Sequence, residues 1–210
     1  MERTGKIILS DEIYSSMAYK PFTTMLKYAD RLKDQLIVGS SPSKSFNVSG
    51  SACGYGVMPN TKILRQYEDV EMFKYTTFPT FFSILTLKVC YNYGKNWLKQ
   101  TRQYLQDNIA LVKKVFEEKF TNLIVYIPDA AYAILVDFSW YGLSSEVVES
   151  TIRKHNMVLS SMRAFFYPNA ETPLFRITVG CNREYLQRFF LRFETVIAEL
   201  ESLKTAKTAE

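Results

Sequence analysis

Short runs of apolar residues alternate with turn and helix signals over the first 60 residues of the chain. Three such runs are Lys6–Leu9, Gln35–Val38 and Gly54–Met58, and each is followed by polar residues or proline. Apolar runs without alternation are typical of strands that are covered on both faces. We therefore predict three strands of a mostly parallel sheet, joined by helical connections.

Helical spacing dominates the middle of the chain. The pattern predicts helices over Leu64–Phe73, Thr80–Tyr93 and Trp97–Phe120, with a break at Thr76–Pro79. In the third helix, apolar residues recur at steps of three, four and seven and define one buried stripe. Its members are Leu98, Leu105, Ile109, Val112, Phe116 and Phe120.

The last third of the chain mixes short strands with two helices. Strands are predicted over Leu123–Ile127, Tyr132–Phe138, Val158–Leu159 and Phe175–Val179. Helices are predicted from Ser144 to about His155 and over Glu184–Leu203, and the polar tail Lys204–Glu210 is expected to fray. The expected class is α/β, with a sheet domain over residues 1–92 and a connecting helix with a small α+β domain over residues 93–210.

Composition and charge exclude several classes of protein. The chain is 47% hydrophobic and 22% charged, as in ordinary globular proteins, and it contains neither a signal-peptide pattern nor a long apolar run. The net charge is +5, but basic residues are interleaved with acidic ones. We therefore expect a cytoplasmic protein without a membrane or nucleic-acid partner.

The few cysteines and histidines narrow the chemistry further. Cys53, Cys90 and Cys181 are far apart and odd in number, and His155 is the only histidine. This set favours reduced thiols and excludes the usual zinc clusters and a Ser-His-Asp triad. An enzyme of this sequence must rely on lysine, tyrosine, carboxylates or a cofactor.

Asp11 and Lys44 form the candidate chemical pair. Each follows a predicted parallel strand, and about one strand–helix–strand crossover separates them. Adjacent parallel strands end at the same edge of a sheet, where ligands of open α/β sheets bind. An acid and an amine at that edge suit a cofactor with a cationic ring. The alternative is a turn aspartate and a surface lysine.

Two motifs carry a resemblance to a known family. Ser10-Asp11-Glu12-Ile13-Tyr14 and Ser41-Pro42-Ser43-Lys44-Ser45-Phe46-Asn47 resemble the class I/II aminotransferases, which are pyridoxal-phosphate enzymes of fold type I. Within that family they look most like the branch of cystathionine β-lyases and cystalysin-type C–S lyases. The resemblance continues through Tyr91–Leu98, Tyr104–Asn108, Tyr132–Asp137 and Phe175–Ile177.

The resemblance implies a role for each matching residue. Lys44 matches the lysine that forms the Schiff base with pyridoxal phosphate and then moves the substrate's α proton. Asp11 matches the acid that keeps the pyridine nitrogen protonated, and Tyr14 matches the phenol that hydrogen-bonds the ring's 3-oxygen. Ser41 matches a phosphate-binding hydroxyl.

An arginine completes the implied site. Arg176 matches the arginine that clamps the substrate carboxylate through two parallel hydrogen bonds. Arg183 is a weaker candidate for that role, because it is expected to be a solvated residue of the last helix. Tyr14 has a structural alternative as a core or interface aromatic, and Arg176 has one as the partner of a structural acid.

The chain also departs from the family. Family members are about twice as long, and the half without a counterpart supplies most of the phosphate loop and the ring that stacks on the pyridine. Many aminotransferases place an arginine eight residues beyond the lysine, where this chain has Ala52. Three strands taken from a larger sheet leave exposed edges, which need a partner or covering elements.

Three functions therefore remain open at this stage. The first is a C–S β-lyase acting on amino acids, and the second is an aminotransferase with the same first steps. The third is a catalytically inactive fragment or interaction protein. The resemblance implies an amino-acid substrate and either a homodimer or an N-terminal half as partner.

Overall fold

The computed structural model describes residues 5–70, 79–165 and 172–209. The chain divides into two compact units, Met1–Arg102 and Gln103–Glu210, and the boundary falls within a long helix. Whether these units correspond to the domains expected over residues 1–92 and 93–210 stays a prediction. Among the described residues, no helix is long and apolar enough to cross a membrane.

A three-stranded sheet organises the first unit. Its strands are β1 (Ile8–Asp11), β2 (Leu36–Ser40) and β3 (Tyr55–Val57), in the order β1–β2–β3. β1 and β2 are parallel, with Asp11 opposite Gly39, and β3 is antiparallel to β2. Leu36 and Val38 of the central strand are buried, as expected of a strand covered on both faces.

The mixed direction of this sheet corrects the expectation of a mostly parallel one. A parallel pair needs a crossover that carries the chain back to the starting end of the sheet. Between β2 and β3 the chain makes only two short helical turns, Pro42–Ser45 and Ser49–Ser51, and then reverses at the left-handed Ala52. β3 therefore starts at the end of the sheet where β2 finishes, and it runs in the opposite direction.

Four helices among the described residues lie wholly within this unit, and three of them begin with a side-chain cap. They are α1 (Ala29–Leu32), α2 (Pro42–Ser45), α3 (Thr61–Asp69) and α4 (Phe81–Tyr93). Asn60 Oδ1 accepts from Lys62 N at the start of α3, and Thr80 Oγ1 accepts from Ser83 N at the start of α4. Residues 71–78, which include the end of one predicted helix and most of the predicted break, lie outside the described residues.

The long helix α5 (Lys95–Lys119) confirms the predicted helical stripe. Leu105, Ile109, Val112 and Phe116 are all buried, at the spacing of one helix face. The wholly buried Asn108 lies next to this stripe, and its side chain is hydrogen-bonded on both sides.

The second unit combines an antiparallel sheet with helices. Its antiparallel sheet has the order β4–β5–β7–β6, and α6 (Ser145–Lys154) and α7 (Arg183–Ala209) follow β5 and β7. The strands are β4 (Ile124–Tyr126), β5 (Ala133–Asp137), β6 (Ser160–Ser161) and β7 (Leu174–Thr178). Phe138, Phe175 and Phe193 meet in its aromatic core.

The C-terminal tail does not fray at Lys204, because α7 continues to Ala209. The Lys204 ammonium lies 3.0 Å from the centre of the Trp140 ring and donates to Trp140 O. Lys207 Nζ donates to Gly142 O at 2.6 Å. These contacts fasten the last turns of the helix to the loop after β5 and offset the polar composition of the tail.

Candidate active site

The carboxyl ends of β1 and β2 bring Asp11 and Lys44 to the same edge of the sheet. Asp11 is the last residue of β1 and lies opposite Gly39 of β2. β2 ends one residue later, and Lys44 follows in α2. The predicted placement of the acid and the amine at one sheet edge therefore agrees with the strand pairing.

Asp11 presents an exposed carboxylate at this edge. Its Oδ1 accepts from Ile13 N at 3.1 Å, which closes a short turn after the strand. No described lysine or arginine forms an ion pair with Asp11. The aspartate therefore shapes the local turn and still offers an acceptor to a ligand.

Glu12, the adjacent acid, is buried and holds the fold of the loop. Its Oε1 accepts from Met25 N at 2.8 Å and from Ser10 Oγ at 3.2 Å. Its backbone N donates to Gly39 O and extends the pairing of β1 with β2. Sequence reasoning missed this role, because no local pattern distinguishes a buried acid from an exposed one next to it.

Lys44 lies in a helical turn fixed from both ends. Pro42 occupies the first turn of α2, where its preset φ suits a helix, and Phe46 N donates to Pro42 O at 2.9 Å. The lysine is half-buried, and no hydrogen bond or ion pair joins its ammonium to another described residue. An amine held in place without a partner is suited to bond a carbonyl group.

Ser41 caps α2, and its hydroxyl is already used. Its Oγ accepts from Ser43 N at 3.0 Å and donates to Cys53 O at 2.6 Å, and the side chain is buried. A phosphate would need that same hydroxyl proton. The phosphate-binding role of Ser41 stays a prediction, and it requires the bond to Cys53 to break.

Tyr14 lies at the same end of β1, three residues beyond Asp11. Its ring is 39% exposed, so it is not the core aromatic of the structural alternative. Its backbone O accepts from Met17 N at the start of the helical turn Ser15–Met17. Tyr14 therefore lies in the segment that follows β1.

An aromatic cluster holds the turn that follows Lys44. Phe46 stacks on Trp97 at 5.7 Å between ring centres and meets Tyr91 edge-on at 6.1 Å. The Tyr91 and Tyr55 hydroxyls are 3.3 Å apart. Burial, and secondly the hydrogen bond with Tyr55, raises the pKa of Tyr91 well above its ordinary value. Tyr91 is therefore a neutral phenol at neutral pH.

Gly94 makes this cluster possible. A Cβ at that position would overlap Phe46 Cε1 and Cys90 O. Gly94 also separates α4 from α5, and its N donates to Cys90 O at 2.9 Å. The predicted helices Thr80–Tyr93 and Trp97–Phe120 left this glycine between them, but nothing in the sequence indicated its contact with the Phe46 ring.

Arg176 belongs to the second unit. It lies in β7 opposite Leu135 on one side and Ser160 on the other. Its side chain is exposed between the buried Phe175 and Ile177, as strand alternation requires. No described acid pairs with it, so the alternative of a structural ion pair finds no support among the described residues.

Arg183 is an exposed residue at the start of α7, as expected, and its side chain also makes contacts within the second unit. Its Nη2 lies 3.2 Å from Asp107 Oδ2, its Nε donates to Asn108 Oδ1, and its guanidinium covers the Tyr104 ring at 5.0 Å. Asn108 Nδ2 in turn donates to the carbonyl oxygens of Val179 and Cys181, just after β7. Arg183 and Asn108 together fix the turn that follows β7, the strand that contains Arg176. The spacing of residues in the sequence did not reveal these contacts.

The described residues hold no cluster of three or more metal-binding side chains. His155 caps α6 and is bound by Glu199 at 2.8 Å and Thr195 at 3.0 Å, so its role is structural. No disulfide joins the three cysteines, and Cys53 and Cys90 are buried.

Comparison with known proteins gives a consistent result. Residues 1–193 match the family described as aminotransferase class I and II. The cystathionine beta-lyase PatB of Bacillus subtilis (strain 168) is 23% identical over 199 residues, which is 92% of this chain and 50% of that protein. The chain thus spans about half the length of the curated relatives it matches.

Solved structures show the same partial match. A PLP-bound protein of Clostridium difficile 630 that carries an aminotransferase assignment is 29% identical, with a TM-score of 0.84, over 91% of this chain and 50% of that one. Cystalysin from Treponema denticola, solved with pyridoxal 5′-phosphate, has a TM-score of 0.84 at 19% identity over 92% and 50%. The expected cofactor, pyridoxal phosphate, is thereby confirmed at the level of the family.

Proposed function

Because this chain belongs to the class I and II aminotransferase family, we propose that it carries the lysine-bearing half of a pyridoxal-phosphate enzyme acting on amino acids. The observation that carries the proposal is the pair at the sheet edge. Asp11 offers an exposed carboxylate, and Lys44 offers an amine that no described residue occupies. Neither is bound to the other, so a ligand has both groups to itself.

The donor set fits the chemistry of the cofactor. The Asp11 carboxylate would hold a protonated pyridine nitrogen, the Lys44 amine would bond the aldehyde carbon, and the Tyr14 phenol would donate to the ring oxygen. The cofactor, when bound, supplies an electron sink for a carbanion at the substrate's α carbon. Phosphate binding is the weakest part of the fit, because the Ser41 hydroxyl is committed to Cys53 O.

The protein's own part in the reaction is to orient the substrate and move a proton. Lys44, once displaced by the substrate's amine, would take the α proton, since its turn is held by the Phe46 cluster. Arg176 would bind the substrate carboxylate with its planar guanidinium. Both β-elimination and transamination need these two steps.

Among the reactions of the family we favour C–S β-elimination over transamination. The curated relative PatB is a cystathionine beta-lyase, and cystalysin shares the fold. A lyase converts cystathionine and water into homocysteine, pyruvate and ammonia without a second organic substrate, whereas an aminotransferase needs a 2-oxo acid as acceptor. Incubation with cystathionine alone, followed by assays for ammonia and pyruvate, therefore separates the two.

A catalytically inactive fragment or interaction protein is the second candidate. The other half of the relatives has no counterpart in this chain. β1 forms one edge of the described sheet, and both Leu9 within it and Ile7 just before it are exposed. A homodimer or an N-terminal half would cover such an edge. Co-purification and sedimentation analysis identify which of the two does so.

Cofactor uptake tests the proposal directly. We expect the chain mixed with pyridoxal phosphate to develop a visible absorption band. Borohydride should then trap the cofactor on the peptide that contains Lys44. The Lys44→Arg variant should lose both signals, and the matched control Lys99→Arg should keep them. Unchanged trapping in Lys44→Arg would overturn the assignment, and no trapping in the native chain would leave the inactive fragment as the function.

A further inference from the structure

A cavity of about 300 Å³ lies in the second unit, and its lining residues include none of the candidate cofactor or substrate residues. It is formed between α7 and the segment that leads from α6 to β6. Apolar side chains of Met157, Leu159 and Phe189 line it, together with the two arginines of α7 described next. This size is at the lower end of small-molecule sites in proteins.

The apolar part of the cavity is firmly held. Met157 and Leu159 are 8% and 9% exposed, so their side chains belong to the packed core. Phe189 stacks on the wholly buried Phe193 at 5.1 Å between ring centres. These residues form the apolar wall of the cavity and are fixed by core packing.

Arg188 and Arg192 supply positive charge at the same cavity. They lie one helical turn apart, and like charges at that spacing repel each other. Arg188 lies over the Tyr185 ring at 5.8 Å, and Arg192 Nη1 reaches Asn156 O at 3.4 Å. No described carboxylate forms an ion pair with either, although Glu184 precedes Arg188 by one turn.

Three other arginines of this unit each pair with an acid, whereas Arg176 has no acidic partner among the described residues. Arg153 is paired with Glu149, Arg163 with Glu146 and Arg183 with Asp107. The two arginines at the cavity thus combine three features: proximity to each other, absence of an acidic partner and an apolar neighbour. An anion with an apolar body would satisfy all three.

We propose that this cavity binds a small organic carboxylate with an aromatic or branched aliphatic body. The guanidinium groups of Arg188 and Arg192 bind the carboxylate through charge-assisted hydrogen bonds, which are about twice as strong as neutral ones. The apolar body lies against Met157, Leu159 and Phe189. Lys44, Asp11 and Arg176 do not line this cavity, so the proposal is tested independently of the proposed reaction.

Titration of the full chain with hydrocinnamate tests the site, with hydrocinnamide as the neutral analogue. We expect the carboxylate to bind at least about tenfold more tightly than the amide, because only the carboxylate meets both guanidinium groups. The Met157 methyl resonance should shift during the titration, which locates the ligand. Equal affinity for the two compounds overturns the proposal.

Variants identify the groups responsible. The double variant Arg188→Gln, Arg192→Gln should lose at least about tenfold in affinity for hydrocinnamate and keep its weak affinity for the amide. Arg65→Gln removes an exposed arginine of the first unit and should change nothing. Should the double variant prove unfolded by circular dichroism, Arg188→Lys, Arg192→Lys keeps the charge and should still bind less tightly, because lysine lacks the planar fork. Native affinity in the folded double variant contradicts the proposal.

Discussion

Two neighbouring acids at the end of β1 have opposite surroundings. Glu12 is buried and its carboxylate accepts two hydrogen bonds from the loop, whereas Asp11 is exposed and accepts one from its own turn. A buried charge that loses its donors is costly to the fold. A substitution of Glu12 should therefore destabilise the loop beside the candidate site, whereas a substitution of Asp11 should mainly weaken ligand binding.

Replacing Ala52 by glycine is expected to stabilise the fold. It adopts φ 47° and ψ 46°, a left-handed conformation that costs an L-residue roughly 1–2 kcal/mol and costs glycine almost nothing. Part of that gain is offset by the greater freedom of glycine in the unfolded chain. We predict that Ala52→Gly raises the free energy of unfolding by about 0.5–1 kcal/mol, measured by urea denaturation.

The same substitution in a helix serves as the control. Ala110 is exposed on α5, where glycine costs about 1 kcal/mol relative to alanine. Ala110→Gly should therefore destabilise the chain. If both variants lose stability, the left-handed conformation of Ala52 is not the source of strain.

Glu199 should make stability depend on pH in the acidic range. Hydrogen bonds from Lys154 and then His155 lower the pKa of Glu199 below its ordinary value of 4.5. The unfolded chain thus binds the proton more readily than the native one, so this contribution is fully present above about pH 4.5 and is lost as the pH falls through the native pKa. We predict that in Glu199→Gln the urea concentration at the midpoint of unfolding falls less steeply as the pH is lowered into the acidic range.

Glu118 provides the comparison for that measurement. It forms an exposed i,i+4 pair with Lys114 at 3.8 Å, a type of pair that contributes little. In Glu118→Gln the urea midpoint should fall with decreasing pH nearly as steeply as in the native chain. An equal effect of both substitutions would show that the cluster around His155 is not responsible.

At the scale of the elements, the junction of α4 and α5 supports the turn that contains Lys44. Gly94 is the one residue between these helices, and the Phe46 ring packs on it. Phe46 itself ends the helical turn of Lys44 and stacks on Trp97. The position of the candidate lysine therefore depends on a helix boundary about fifty residues further along the chain.

A methyl group at position 94 should disturb that support. Gly94→Ala would overlap the Phe46 ring and Cys90 O, and overpacking of this kind costs typically about 1–3 kcal/mol. We predict a lower urea midpoint together with altered near-ultraviolet dichroism of the aromatic cluster. Gly50→Ala is the matched control, because a Cβ at position 50 meets nothing within 4 Å. Equal stability of the two variants contradicts the packing argument.

Most elements of the fold were predictable because their signals are local. The helix predicted over Trp97–Phe120 is Lys95–Lys119, and the strand predicted over Tyr132–Phe138 is Ala133–Asp137. The direction of β3 was not predictable, since it depends on the path of the connection before it. The extension of α7 to Ala209 depends on contacts with Trp140 and Gly142, which lie some sixty residues earlier.

The candidate site divides in the same way. Strand order along the chain was enough to place Asp11 and Lys44 at one sheet edge. The commitment of the Ser41 hydroxyl to Cys53 O and of Arg183 to Asp107 was hidden, because each involves a partner distant in sequence. Residue type indicated what these groups can do, and only the structure identified what they already bind.

At the scale of the whole molecule, β1 and β3 are the edge strands of the first described sheet, and β4 and β6 are those of the second. β1 pairs on one side only within the described sheet, Leu9 is 70% exposed, and Ile7 is 56% exposed. Strand edges of this kind pair readily with other chains.

We predict that the isolated chain self-associates through β1. Leu9→Lys should raise the apparent dissociation constant by about tenfold or more, because a charged side chain on an edge strand opposes pairing. Sedimentation velocity over a range of concentrations measures this. Leu191→Lys, an equally exposed site at 66% on the helix α7, should leave association unchanged. If Leu191→Lys has the larger effect, the contact lies elsewhere.

The packing of Phe46 on Gly94 also constrains how the sequence can diverge. An aromatic ring at position 46 leaves no room for a side chain at position 94, so neither residue can drift independently. Among homologues, a larger residue at 94 should therefore occur only together with a smaller one at 46. The two positions should covary, and that pairing would mark this helix junction as inherited together with the lysine turn.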